Sequence, residues 1–258
     1  MEFQDVLFST TNSIGSITLN SPGTANALSK NMISELISVL KSLRDQPSIK
    51  VVILKAAGKH FCSGHNLKEM IDGHVTDYQF IFRQCANMMS LIHEIPQIVI
   101  AQVHGVATAA GCQLVGQCDL AVATETSRFG TPGVKIGLFC TTPMVALTRS
   151  IGRKHALEML LTGNLVTAQQ AQSYGLVNHV VPESELEKTT IDLAERIVKS
   201  SPLTLAIGKK AFYTQIDMPE NQAYDHAVEV MTLNLMTEDA QNGIKAFLAK
   251  KSPAWKGR

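Results

Sequence analysis

The chain has 258 residues, of which 45% are hydrophobic and 17% are charged. This composition is typical of a folded globular protein and excludes both a disordered tail protein and a highly charged surface binder. Lys and Arg together number 23 against 22 acidic residues, so the chain has no overall field that would attract nucleic acid or an anionic membrane. An anionic ligand would therefore have to be bound by local groups.

The cysteines and the N-terminal residues bear on the compartment. The five cysteines include no C-x-x-C pair, which favours a reduced, intracellular protein. Residues 1–5 show no basic region followed by an apolar run, and no window approaches the ~20 apolar residues of a membrane span. We expect a soluble cytoplasmic protein, and the mitochondrial matrix stays open if a transit peptide was removed.

The N-terminal part of the chain alternates between strand and helix patterns. Short apolar or alternating runs predict strands, and apolar residues at helical spacing predict helices. Strands are predicted at 6–11, 14–19, 51–54, 98–103 and 120–123, and helices at 28–43, 78–95 and 108–117. The first two strands form a predicted hairpin, and Pro96 ends the second helix.

Helices are predicted to dominate from Pro143 onward. Thr167 and Gln170 form a predicted capping box for a helix that ends at Gly175. Further helices are predicted at 183–200, 202–215, 220–236 and 238–249, with Pro202 and Pro219 at first-turn positions. No low-complexity linker separates the two parts, so we expect one continuous α/β unit, with a core over 1–200 and a helical region over 201–258.

Two loops rich in small residues are candidate ligand sites. The first is FCSGHNLKEM at 61–70, and the second runs from Gly105 to Gln113; each follows a predicted strand and enters a predicted helix. Amide groups at a helix start point outward and favour negative charge. Two such loops that converge would form an oxyanion hole, worth ~2.7–4 kcal/mol per donor in reactions that pass through an enolate or a tetrahedral oxyanion.

Several motifs in order along the chain resemble those of one family. These are Asn26-Ala27-Leu28, FCSGHNLKEM, GVATAAGCQLVGQCDLAVA, RFGTPGVKIGL, ALEMLLTG and AQQAQSYGLVNHVVP. Together they resemble the signatures of the enoyl-CoA hydratase/isomerase, or crotonase, family, from about Leu19 to the C-terminus. The resemblance implies a spiral core of ββα turns with a C-terminal helical trimerisation region, assembled as a homotrimer or homohexamer.

The same resemblance implies an acyl-CoA thioester as ligand and no cofactor. Its two oxyanion amides fall on His65 and Ala110. Residues matching the CoA-binding loops and the acyl pocket are Thr24, Ala25, Ala27, Ser63, Gly64, Asn66, Leu67 and Gly133, and Lys250 or Lys251 matches a basic position that meets the CoA phosphates. No metal site is expected, because the histidines of this region lack the spacing of metal ligands with a third group.

The chain departs from the family where hydration chemistry is expected. Hydratases of the family carry glutamates at the positions of Gln113 and Gly133, and other members carry an aspartate near Thr141. An amide has no useful pKa near neutrality, and glycine has no side chain. Because one general acid or base contributes about 10²–10⁴ in rate, we expect most of the hydration rate to be lost.

Four residues are candidates for the missing chemistry. His65 follows the loop glycine, as in acyl-CoA decarboxylases of the family, and is a candidate acid or base, although an isolated loop histidine is more often only hydrogen-bonded or solvated. Cys140 and Thr141 match the pocket lining, and a buried cysteine commonly packs as a small hydrophobe rather than acting as a nucleophile. Gln113 can orient a water molecule or a carbonyl.

Three functions stay open from the sequence. The first is a lyase or isomerase of the family, acting in fatty-acid or related acyl-CoA metabolism through enolate or oxyanion stabilisation. The second is acyl-CoA decarboxylation or thioester hydrolysis, which needs the oxyanion hole but not both glutamates. The third is a non-catalytic acyl-CoA-binding oligomer that has kept the pocket and lost the chemistry.

Overall fold

The computed structural model describes residues 3–258. Strands and helices alternate along the first two thirds of the chain, and helices alone follow. The strands are β1 (Val6–Thr11), β2 (Ile14–Leu19), β3 (Val51–Ala56), β4 (Ile98–Val103), β5 (Val106–Thr108), β6 (Leu120–Thr124), β7 (Arg128–Gly130), β8 (Val166–Thr167) and β9 (His179–Val181). The helices are α1 (Lys30–Leu43), α2 (Val75–Glu94), α3 (Ala110–Gln117), α4 (Thr141–Ser150), α5 (Arg153–Thr162), α6 (Ala168–Tyr174), α7 (Leu186–Val198), α8 (Pro202–Gln215), α9 (Glu220–Leu235) and α10 (Glu238–Leu248).

The strands form two sheets. The larger has the order β1-β2-β3-β4-β6-β9, and the smaller has the order β5-β7-β8. The predicted hairpin is confirmed, since β1 and β2 pair antiparallel from Val6 opposite Leu19 to Thr11 opposite Ile14. The remaining pairs of the large sheet are parallel, and parallel strands are joined by crossovers of a dozen or more residues. This accounts for the alternation of strands and helices in the sequence.

Residues 51–54 of strand β3 show why a buried strand is a continuous apolar run. Val52 and Leu54 belong to the main core on one face of the sheet. Val51 and Ile53 belong to a second cluster on the other face, which includes Leu186 of α7. Because successive side chains point to opposite faces of a sheet, a strand covered on both sides has no polar positions.

One buried ion pair docks the C-terminal helices on the core. The Lys209 ammonium of α8 lies 2.7 Å from the Asp119 carboxylate, and both side chains are almost fully buried. The same ammonium donates to the backbone oxygens of Ile92 and Gln97. Burial lowers the pKa of Lys209, and the Asp119 charge opposes that shift.

Several element boundaries differ from the sequence prediction. Helix α1 begins two residues later than expected, after a Ser29 cap that accepts from the Met32 amide. Helix α3 begins at Ala110, two residues later than predicted, and Thr108 belongs instead to strand β5, which was not predicted. Residues 183–185 form a 3-10 turn before α7. The three short strands β7, β8 and β9 were not predicted, since two or three residues show no periodicity.

The predicted capping signals are mostly confirmed. Thr167 and Gln170 form the capping box of α6, and Gly175 ends that helix in the left-handed conformation. Pro202 occupies the first turn of α8. Pro219 was predicted in the first turn of α9, but it is the residue that precedes the helix.

Candidate active-site cleft

A cleft of about 750 Å³ lies where the two predicted loops meet. Its walls come from the first loop, the start of α3, the segment between β7 and α4, and the turn before α1. The predicted residues that line it are Thr24, Ala27, Ser63, His65, Asn66, Leu67, Ala110, Gly133, Cys140 and Thr141. The fold therefore brings predicted site residues that are more than 100 positions apart, such as Thr24 and Thr141, into one cavity.

The two loops touch at Gly64. Cys62 pairs with the second loop as its amide donates to Val106 and its carbonyl accepts from Thr108. Gly64 has a φ of +100°, and a Cβ there would lie 2.8 Å from the Ala109 Cβ and 3.3 Å from the Ala110 nitrogen. Glycine is therefore required both for the backbone conformation and for the close approach of the loops.

The backbone amides of His65 and Ala110 are the candidate oxyanion donors. Ala110 is the first residue of α3, where the helix leaves its N–H groups without intrahelical partners. Across residues 3–258, neither amide donates to a protein acceptor. The helix expected after the first loop is a single 3-10 turn, Leu67–Met70, so only the Ala110 donor lies at an α-helix start. Both residues line the cleft.

The His65 imidazole is a neutral group in the cleft wall. Its ring packs edge-on against Phe82 with the centroids 5.5 Å apart. Burial lowers the pKa of His65 to about 4. Its Nε2 is enclosed and has no hydrogen-bond partner within the described residues. At neutral pH the ring therefore carries no charge and has one unused polar atom.

Gln113 is placed behind the cleft rather than in its wall. It is only 4% exposed, and it is absent from the cleft lining. Its Oε1 has no partner in the part of the chain that the structure describes. Gln113 therefore has an unused acceptor close to the start of α3. Leaving a buried amide oxygen unpaired costs free energy.

Gly133 is closely packed by its own loop. A Cβ at this position would lie 2.1 Å from the Leu138 carbonyl oxygen and 2.8 Å from the Cys140 Sγ. The chain thus folds back over Gly133, and the space for a side chain at this position is filled. The return of the chain at residues 138–140 therefore requires a residue without a side chain at position 133.

We expect Gly133→Ala and Gly133→Glu both to destabilise the protein by about 1–3 kcal/mol, because each must displace a backbone carbonyl. Gly208→Ala in α8 is the matched control, since no heavy atom lies within 4 Å of its added Cβ. Thermal unfolding of the three variants measures the effect. Gly133→Glu with wild-type stability and new hydratase activity would contradict this account of the loop.

Cys140 is the cleft residue that packs on Gly133. It is 7% exposed. Burial raises the pKa of the Cys140 thiol, and the hydrogen bond from the Gly133 amide opposes that shift only in part. Thr141, the next residue, begins α4. The thiol is therefore protonated at neutral pH, which argues against the nucleophilic role considered from the sequence.

Ala25 supports the first loop from behind. Its carbonyl accepts from the Ser63 amide at 3.0 Å, and it does not line the cleft. Asn26, which sequence analysis quoted without a role, holds the same loop. Its side-chain nitrogen donates to the carbonyls of Ala57 and His60, both at 2.8 Å.

The cations of the cleft differ from the predicted ones. Lys250 follows α10, is exposed and does not line the cleft of its own chain. Lys68 and Lys135 line it instead. Lys68 lies in the motif FCSGHNLKEM and Lys135 lies in RFGTPGVKIGL. Neither was predicted as a site residue, because only the folded chain places both at one cavity. Within residues 3–258, no cluster of potential metal ligands is present.

The sequence model of the enoyl-CoA hydratase/isomerase family matches residues 9–258. The chain belongs to the enoyl-CoA hydratase/isomerase family. The predicted fold class is confirmed as well. A crystal structure of an enoyl-CoA hydratase from Mycobacterium smegmatis has a TM-score of 0.96 at 43% identity, covering 98% of this chain and 99% of that one. The described helices and strands therefore form a crotonase fold.

Curated relatives extend the comparison. Enoyl-CoA hydratase domain-containing protein 3, mitochondrial, of Xenopus laevis is 47% identical over 93% of this chain and 82% of its own length. The 2,3-dehydroadipyl-CoA hydratase of Escherichia coli is 32% identical over 94% of both chains. No helix in residues 3–258 is long and apolar enough to cross a membrane.

Proposed function

We propose that this protein binds acyl-CoA thioesters in the cleft and stabilises a thioester enolate with the His65 and Ala110 amides. The observation that carries this proposal is the pair of amides without acceptors, on two loops that touch at Gly64. Amides fixed before the reaction stabilise developing negative charge without reorganisation. The CoA moiety would lie along Thr24, Ala27 and the first loop, and the Lys68 and Lys135 ammonium groups would meet its anionic groups.

Efficient hydration is not part of this proposal. Among the described residues that line the cleft, none is a carboxylate. Hydration needs a base to activate water and an acid to protonate the enolate carbon. The low pKa of His65, about 4, makes its neutral ring a weak base, so the cleft lacks a group that activates water efficiently.

Decarboxylation of a malonyl-type thioester fits this cleft better. The carbon–carbon bond electrons flow into the thioester as CO₂ leaves, so no base is required. The product enolate needs only oxyanion donors and a proton. The absence of carboxylates from the described lining also removes like-charge repulsion against a carboxylate on the substrate.

The test compares two reactions of the same protein. We expect crotonyl-CoA to be hydrated at the no-enzyme rate at high protein concentration, whereas methylmalonyl-CoA releases CO₂ with a kcat in the ordinary range of ~1–10³ per second. Rapid hydration would overturn the argument from Gln113 and Gly133. Binding of both thioesters with no turnover of either would favour the non-catalytic acyl-CoA-binding protein.

We propose a homotrimer or homohexamer as the assembly. The C-terminal helices α8 to α10 expose many large apolar side chains that a single chain leaves uncovered. These include Phe212, Tyr224, Val228, Met231, Met236, Phe247 and Leu248. Large apolar side chains left exposed on three successive helices are typical of an interface. Light scattering of the purified protein measures the subunit number.

For the compartment, we propose the mitochondrial matrix over the cytoplasm. The supporting observation is the word "mitochondrial" in the names of the relatives from Xenopus laevis and human, which are 47% and 45% identical to this chain. Reduced cysteines agree with either compartment. Fractionation of cells with an antibody to the protein separates the two.

A further inference from the structure

We propose that the Cys140 thiol is the proton donor that quenches the thioester enolate. This inference rests on the proposed enolate chemistry and adds to it the acid that the missing glutamates would otherwise supply. Cys140 belongs to the cleft wall. It packs against Gly133, on the side of the cleft formed by the segment between β7 and α4.

The location of the thiol follows from the packing at Gly133. A Cβ on Gly133 would come within 2.8 Å of the Cys140 Sγ, so sulfur occupies the volume that the first atoms of a side chain at 133 would enter. The Gly133 amide lowers the pKa of the Cys140 thiol, against the larger effect of burial. It therefore favours the thiolate that remains after proton transfer.

The other titratable groups of the cleft are poorer donors. The described lining contains only three besides Cys140, namely His65, Lys68 and Lys135. The His65 ring is held neutral by its burial, and a neutral imidazole is a very weak acid. Both lysines are exposed side chains of the cleft mouth. The thiol is the enclosed group that carries an available proton at neutral pH.

The proton balance of the step is complete. The bond between Cα and the leaving carboxylate breaks, CO₂ departs, and the electron pair forms the enolate. The enolate Cα then forms a C–H bond with the proton from Cys140, and the electron pair of the S–H bond stays on sulfur as thiolate. The thiolate takes a proton from solvent, so one proton is consumed per turnover.

The transfer is favourable because an enolate carbon is far more basic than a thiolate. A single enclosed donor also delivers the proton to one face of the enolate. The first property predicts a rate effect and the second predicts a stereochemical effect. A cysteine that served only to pack the loop would control neither.

The first experiment uses Cys140→Ser and Cys140→Ala in the full-length protein. With methylmalonyl-CoA in D₂O, we expect kcat to fall by about 10²–10⁴ with KM within about twofold. The wild-type protein should give 2-deuteriopropionyl-CoA with a single configuration at C2, and the variants should give a mixture of both. Cys118→Ser is the matched control, because Cys118 is 8% exposed against 7% for Cys140 and does not line the cleft.

A second measurement separates this inference from the proposed reaction. At pH 9 the thiolate is more populated, and wild-type protein should then exchange the α-hydrogens of propionyl-CoA with D₂O, whereas Cys140→Ser should not. Exchange that depends on Cys140, with no release of CO₂, would reject decarboxylation and keep the proton donor. Wild-type kcat and a single configuration at C2 in Cys140→Ser, or no exchange in the wild type, would overturn the inference.

Discussion

Removal of the Ala110 amide proton is expected to lower kcat by about 10²–10³, because one preorganised oxyanion donor contributes about that factor. Ala110→Pro deletes this proton at the first position of α3, where proline is accepted in helices. The binding of a saturated acyl-CoA should change little, since its carbonyl carries less charge than the enolate. Rates of CO₂ release and calorimetric binding of propionyl-CoA measure the two effects.

A second variant protects this test against misfolding at the proline. Gly64→Ala keeps every amide but places a methyl group 2.8 Å from the Ala109 Cβ, at a φ of +100°. The loops must separate, so the two donors no longer converge. Gly208→Ala adds the same methyl group to an open helical position and should leave kcat unchanged. Wild-type kcat in both Ala110→Pro and Gly64→Ala would reject the oxyanion assignment.

The fold was predictable where apolar residues form a run or recur at a regular spacing in the sequence. The strand over 51–54 has no polar residue because α1, α2 and α7 cover both faces of the sheet, and such a run is visible without a structure. The helices of the C-terminal region were predictable from their spacing and prolines. Strand β5 was not, because three residues of small side chains fit a helix as well as a strand.

The candidate site was predictable in its loops but not in its packing. Gly64 and the small residues of the second loop indicate a close approach of backbone, and the structure places them in contact. The filled space at Gly133 depends on how the chain returns at Leu138, which no local pattern specifies. The sequence could therefore show that residue 133 is a glycine, but not that the Cys140 thiol packs against it.

Long-range pairs were the least accessible to sequence reasoning. Lys209 and Asp119 are 90 residues apart, and each alone is an ordinary surface residue type. Only the docking of α8 on the end of α3 buries them together. Apart from the Tyr213 hydroxyl, their other partners are backbone groups that any sequence would offer, so no residue pattern marks the contact.

Asp119→Ala is expected to destabilise the protein by about 3–5 kcal/mol, because it leaves a buried ammonium without its counter-charge. The carboxylate also accepts from the Val99 amide at 2.7 Å and from the Tyr213 hydroxyl at 2.8 Å. These donors lose their acceptor as well. Unfolding in guanidinium chloride at fixed protein concentration measures the free energy of unfolding.

Comparison with Lys209→Met identifies the source of that loss. Asp119 keeps two hydrogen-bond donors in Lys209→Met and its side chain is 10% exposed, against 3% for Lys209, so this variant should lose less free energy than Asp119→Ala. The double variant Asp119→Asn with Lys209→Met removes both charges and should be more stable than Asp119→Ala alone.

The surface pair Lys188 and Asp192 is the control, with side chains 71% and 56% exposed. Asp192→Ala should change the free energy of unfolding by only about 0.5 kcal/mol, and an equally small effect of Asp119→Ala would mean that apolar packing, rather than this ion pair, docks α8 on the core.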